Sequence, residues 1–204
     1  LNKEMKKFDE NFIQEIESIK NTINSKYGFK PINNIMLLID QLIKLNDKEG
    51  IYVELGTFRG STLLSCAEAV KFFNLDVNLF GIDTFNGFPE QKELNPFDHP
   101  NHFVNLYENG LISKFHYESA ADRTKEFSNL DHLESIYFKD TNNIFNHVEN
   151  YDNVTLIESE IKNSENKINE PIKLLFFDCD LYDSYLDGLN LFYDYDLTFL
   201  MGFW

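Results

Sequence analysis

The chain has 204 residues, 43% hydrophobic and 15% aromatic, with 20 Phe and 10 Tyr, which is enough apolar material for one buried core and excludes global disorder. Its length is short for two domains. With 34 Asp and Glu against 18 Lys and Arg, the formal charge of -16 excludes nonspecific binding to nucleic-acid phosphates or to an anionic membrane.

In chain order, Phe8, Phe12, Ile16, Ile19 and Ile23 recur at spacings of three and four and predict an amphipathic helix over 8–23. Pro31 interrupts the pattern, and Ile35, Met36, Leu38, Ile39, Leu42 and Ile43 resume it as a more apolar helix over 32–45. If these two helices do not pack on the rest of the chain, they are elements for a homo-oligomer. Residues 51–55 predict a strand ending at Gly56, and 61–73 return to helical spacing. A second strand over 77–82 ends on Asp83 and completes a βαβ unit.

A Gly-, Pro- and Asn-rich loop is expected over 86–101, followed to residue 145 by a mixed insertion, or lid, with helical patches, notably 120–133. All five histidines fall within or beside it. His99 and His102 are three apart, but Pro96 and Pro100 make that segment a loop and argue for solvated side chains rather than a shared metal. The apolar runs 153–158 and 172–177 predict strands buried on both faces of a parallel sheet. A helix over 186–193 and a fifth strand over 197–204 close the sequence. The expectation is a single α/β domain: N-terminal helices (1–49), a cofactor-binding βαβ unit (50–92), a lid (93–150) and the remaining sheet (151–204). Cys66 and Cys179 give no disulfide framework. Together with a start that lacks a signal-peptide apolar stretch, and with no run of about 18 apolar residues, this leads us to expect a cytoplasmic protein without a membrane span.

Three motifs carry chemistry. Val53-Glu54-Leu55-Gly56-Thr57-Phe58-Arg59-Gly60-Ser61-Thr62 lies at a strand-to-helix junction, where glycines allow a tight turn and the helix start offers free N–H groups to a nucleotide-like ligand. A dinucleotide G-x-G-x-x-G centred on Gly56 would need glycines where Glu54 and Arg59 stand, so a nicotinamide oxidoreductase is left as a fold-level analogy. Asp83, at the end of the next strand, is placed to accept both ribose hydroxyls of an adenosyl group, although a helix cap or a solvated loop acid is the bland alternative. Asp178, in Phe177-Asp178-Cys179-Asp180-Leu181-Tyr182-Asp183-Ser184, follows an apolar strand at the rim where open α/β sheets bind ligands. Its oxygen chemistry suits Mg²⁺ or a cofactor, while Asp180 or Asp183 could simply cap the next helix. Cys179 reads as a small buried hydrophobe.

VELGTFRGST, GIDTFNGFPE (81–90) and LLFFDCDLYDSY (174–185) together resemble the landmark motifs of class I S-adenosylmethionine-dependent O-methyltransferases, above all the macrocin and mycinamicin sugar O-methyltransferase family. The resemblance covers residues 32–193, and the first motif is also similar to that of catechol O-methyltransferase. It implies a Rossmann-like, mostly parallel sheet with helices on both faces. It implies S-adenosylmethionine held by Glu54, Gly56, Thr57, Gly60 and Ser61, with Asp83 on the ribose, and a sugar or other small-molecule acceptor. It also implies Asp178 as a catalytic and Mg²⁺-ligating carboxylate, the ion lowering the pKa of the acceptor hydroxyl and orienting it.

Two departures bear on this. Ser159-Glu160 stand where the family has a glycine. The family's aspartate pair after the fifth strand and its final β-hairpin have no counterpart in 193–204, so the C-terminal strands are expected to be missing. The alternative expectation is therefore a truncated or non-catalytic adenosyl-binding module.

Overall fold

The computed structural model describes residues 8–29, 35–88, 95–118, 120, 143–192 and 198–201. Strands β1 (Ile51–Leu55), β2 (Leu79–Asp83), β3 (Val154–Glu158), β4 (Ile172–Phe177) and β5 (Thr198–Met201) form one sheet in the order β3-β2-β1-β4-β5. All four pairings are parallel. β1 is the middle strand, its Tyr52 lying between Leu79 of β2 and Leu174 of β4. Successive strands step outward to one side of β1 and then cross to the other, which places the topological switch point at the C-terminal ends of β1 and β4.

Helices cover both faces. On one, α1 (Glu10–Tyr27), α2 (Ile35–Lys44) and α3 (Ser61–Phe72) enclose a core of Ile16, Ile19, Ile23, Leu38, Ile39 and Leu63 against Tyr52, Leu79 and Leu174 of the sheet. On the other, α6 (Tyr182–Phe192) and the short 3₁₀ turn at Ile161–Asn163 pack Phe192 and Ile161 against Val53, Leu55, Ile82, Leu175 and Phe177. Between β2 and β3 lie α4 (Pro100–Glu108) and α5 (Asn143–Val148). The period-2 alternation of a strand sends odd and even β1 residues to opposite layers, so Tyr52 and Glu54 face the α3 side while Val53 and Leu55 face α6.

Several expectations need correction. The loop expected through 101 contains the start of α4: Pro100 occupies its first turn, where a missing N–H costs nothing, and His99 is its N-cap, Nδ1 accepting from the Asn101 amide at 3.1 Å. Strand β3 is not buried on both faces, because it is the sheet edge and only Ile157 in it is buried. α6 begins a turn earlier than its apolar spacing indicated. The two N-terminal helices are packed on the domain, which removes the ground for reading them as oligomer elements: Ile16, Ile19 and Ile23 are fully buried. Lys26 pairs with Glu68 of α3 at 2.9 Å, and the Tyr151 hydroxyl donates to the same carboxylate at 2.8 Å. The expected helical patch at 120–133 lies, apart from Ala120, outside the described residues. Cys66 and Cys179 are both free and buried. Among the described residues no helix is long and apolar enough to cross a membrane.

Candidate functional site

The turn after β1 is the best-defined part of the site. Gly56, Phe58 and Gly60 all have positive φ (87°, 48° and 82°), and the Gly60 amide closes the turn on the Thr57 carbonyl at 2.8 Å. The reason for the two glycines is visible. A Cβ at Gly56 would lie 2.6 Å from the Asp178 carbonyl oxygen, and one at Gly60 would run into the Ile144 side chain of α5. The glycines thus bring the turn against the end of β4 on one side and under α5 on the other. Ser61 starts α3, its carbonyl accepting from the Ser65 hydroxyl at 2.6 Å.

Asp83 locks this turn to the next loop. Its Oδ2 accepts from the Phe58 amide at 2.8 Å and its Oδ1 from the Phe85 amide at 2.9 Å. Burial raises the Asp83 carboxyl above the usual carboxylate range, and these amide donors oppose the shift. Phe85 is itself buried at positive φ, and its ring meets Phe145 of α5 edge to face at 5.1 Å. Through Ile144 and Phe145, α5 therefore closes over both loops.

Glu54 is 1% exposed, and its Oε2 accepts from the Tyr52 hydroxyl at 2.8 Å. Its carboxyl is raised well above the ordinary value by burial and then by the negative charge of Asp178, with Asp83 adding to the shift and the Tyr52 hydrogen bond opposing it. Asp178, Asp180 and Asp83 likewise push up the Cys179 thiol, already raised by burial. The charges of Asp178 and Asp83, at the C-terminal ends of β4 and β2, thus act on Glu54 of β1 at the switch point, and a cation placed there would relieve that repulsion. Thr57 adds a buried hydroxyl with no hydrogen-bond partner among the described residues.

The start of α6 is held by the segment between β2 and β3. Asp98 accepts from the Tyr182 amide at 2.9 Å and so caps the start of α6. Asn95 donates to Asp183 at 2.8 Å, and Phe97 stacks on Tyr182 with ring centres 4.5 Å apart. His102 sits edge-on to Phe97 at 5.1 Å.

The structure brings Glu54, Gly56, Thr57, Gly60, Ser61, Asp83 and Asp178 to one edge of the sheet. The donor chemistry fits a cationic adenosyl ligand, with carboxylates for ammonium and hydroxyl groups. Among the described residues no group of three or more His, Cys, Asp and Glu side chains is placed to hold a metal ion. Sequence reasoning missed Tyr52, whose signal was a phenol two residues before a buried acid. It also missed Ile144, Phe145 and Asp98, for which no local signal exists.

No protein-family model and no curated protein matches the sequence. Among solved structures, the O-methyltransferase NovP is similar over 80% of this chain and 59% of its own, with a TM-score of 0.51 and 18% identity. The calicheamicin methyltransferase CalS11 is similar over 95% of this chain and 76% of its own, with a TM-score of 0.50 and 17% identity. The chain spans less than two thirds of the length of NovP. At these identities the likeness is one of fold, and the sheet order, the glycine turn and these neighbours agree on it: the chain has the α/β, Rossmann-like fold of the class I methyltransferases.

Proposed function

We propose that this chain is an S-adenosylmethionine-dependent O-methyltransferase that modifies a hydroxyl of a sugar or glycosylated small molecule in the cytoplasm. The observation that carries the reading is the convergence of Glu54, Asp83 and Asp178 at the ends of three adjacent parallel strands, beside a glycine turn that opens α3. Mutually repelling, buried carboxylates are stabilised by a cation. S-adenosylmethionine carries two, an ammonium and a sulfonium, and the sulfonium supplies an electrophilic methyl group.

In this reading Glu54 receives the ammonium and Asp83 the ribose hydroxyls. Asp178 faces the acceptor and orients its hydroxyl, so that rate comes mainly from proximity and alignment. The lid segment docked on α6 shields the acceptor from water.

Calorimetric titration with S-adenosylhomocysteine tests the cofactor assignment. Wild type is expected to bind it and Asp83→Asn to bind it much more weakly. Binding of NADH without S-adenosylhomocysteine would overturn the reading. Methyl transfer to glycosylated acceptors then separates an enzyme from an adenosyl-binding module. Running it with and without chelator decides whether Asp178 acts directly or through an ion.

A further inference from the structure

We propose that Tyr52 is a positioning residue of this site: its hydroxyl, donated to Glu54 Oε2 at 2.8 Å, fixes the Glu54 carboxylate in the orientation that receives the ammonium of the cofactor's amino-acid arm. The inference rests on the S-adenosylmethionine reading above.

Tyr52 is 0% exposed in the middle strand of the sheet, flanked by Leu79 and Leu174, in a core built mainly of Ile, Leu, Val and Ala, with Cys66 and Tyr151 among them. A phenol there is costly unless its hydroxyl is satisfied, whereas Phe would fill the same volume without any polar demand. The hydroxyl donates to Glu54, and the buried Cys66 thiol of α3 lies beside it as a further polar neighbour. The two residues are i and i+2 on one strand, hence on one face, and Glu54 lies nearer the C-terminal edge where ligands of open α/β sheets bind.

Glu54 has reason to need this anchor. It sits among apolar side chains with Asp178 and Asp83 repelling it, and Tyr52 is the one hydrogen-bond donor that the described residues place on it. A carboxylate held in advance by one buried donor does not have to be ordered when the ligand arrives, so the ligand's own charge is used for affinity. Tyr52 need not touch the ligand to act; it works through Glu54.

The test compares two ligands. S-adenosylhomocysteine carries the ammonium-bearing arm, while 5′-methylthioadenosine shares the adenosine and sulfur but lacks that arm. Both are titrated into wild type, Tyr52→Phe, Glu54→Gln and the double variant, with urea midpoints to confirm folding. Loss of a hydrogen bond to a charged group is expected to weaken S-adenosylhomocysteine by about 10-fold or more in Tyr52→Phe, and 5′-methylthioadenosine by less than about twofold. In the Glu54→Gln background, Tyr52→Phe is expected to change S-adenosylhomocysteine affinity by no more than about twofold, because the shared partner has gone. Glu54→Gln alone must show the same selectivity for the arm-bearing ligand. Equal losses on both ligands, or undiminished S-adenosylhomocysteine affinity in Tyr52→Phe, overturn the inference and leave the cofactor reading standing. Wild type that takes up neither ligand overturns the cofactor reading and this inference with it.

Discussion

Replacing Gly56 by Ala separates two costs that the structure makes distinct. A Cβ at this position would lie 2.6 Å from the Asp178 carbonyl oxygen, 2.9 Å from the carbonyl carbon and 3.2 Å from the Cys179 Cα, in a residue held at φ +87°. All three atoms are backbone. The Asp178 amide is tied to the Leu55 carbonyl at 2.9 Å, so the neighbour cannot turn aside. Gly28, which ends α1 at φ +74°, has nothing among the described residues within 4 Å of the same virtual atom and serves as the control. Gly28→Ala is expected to cost about 1 kcal/mol, the penalty for a left-handed alanine. Gly56→Ala adds overpacking of about 1–3 kcal/mol, for a total of about 2–4 kcal/mol. Both variants lose similar backbone freedom in the unfolded chain, so that contribution cancels in the comparison. Urea unfolding with shared m-values measures the difference. Gly56→Ala no less stable than Gly28→Ala would refute the reasoning, since the close approach of the turn to β4 would then carry no energy.

Further outcomes follow from the titrating and capping groups. Burial and the charges of Asp178 and Asp83 raise the Glu54 carboxyl, so the folded chain holds this proton to higher pH than the unfolded chain does. Stability from this group is present in acid and lost as pH rises from about 4, the unfolded carboxylate value, through the folded one. Glu54→Gln removes that decline, and thermal melts across pH should show a flatter dependence than wild type; parallel curves would count against the buried ionisation. Asp98→Ala deletes the cap on α6 and is expected to cost about 1 kcal/mol in urea unfolding, while Asp98→Asn, still an acceptor, costs less. Identical losses in the two would show that Asp98 packs rather than caps.

Much of the fold was legible because its signals are local. The strands at 51–55 and 172–177 are short apolar runs bounded by turn residues, and the structure places both at those limits. The glycine turn and the acids at the strand ends were legible for the same reason: a strand, its terminal carboxylate and the following turn are contiguous in sequence. The roles of the glycines were not legible. Gly56 faces Asp178 and Gly60 faces Ile144, partners more than eighty residues distant, and no local pattern shows which backbone will press against them. α4 was misread because Pro100 and Pro96 were weighed as breakers, although a proline in the first turn of a helix favours it. The capping of α6 by Asp98 was not legible either, because the two residues that meet, Asp98 and Tyr182, are 84 positions apart.

The central place of β1 has a consequence for how the chain is made. Tyr52 pairs early with Leu79, a short distance along the chain, but its other neighbour, Leu174, is synthesised about a hundred residues later. At typical elongation rates the open edge of β1, carrying the apolar residues Ile51, Val53 and Leu55, waits on the order of ten seconds for its partner. During that interval the nascent βαβ unit presents an unpaired hydrophobic strand, a template for association with other chains. Translation pauses or chaperone capture between the synthesis of β2 and β4 should therefore govern the yield of soluble protein more than the stability of the finished fold does.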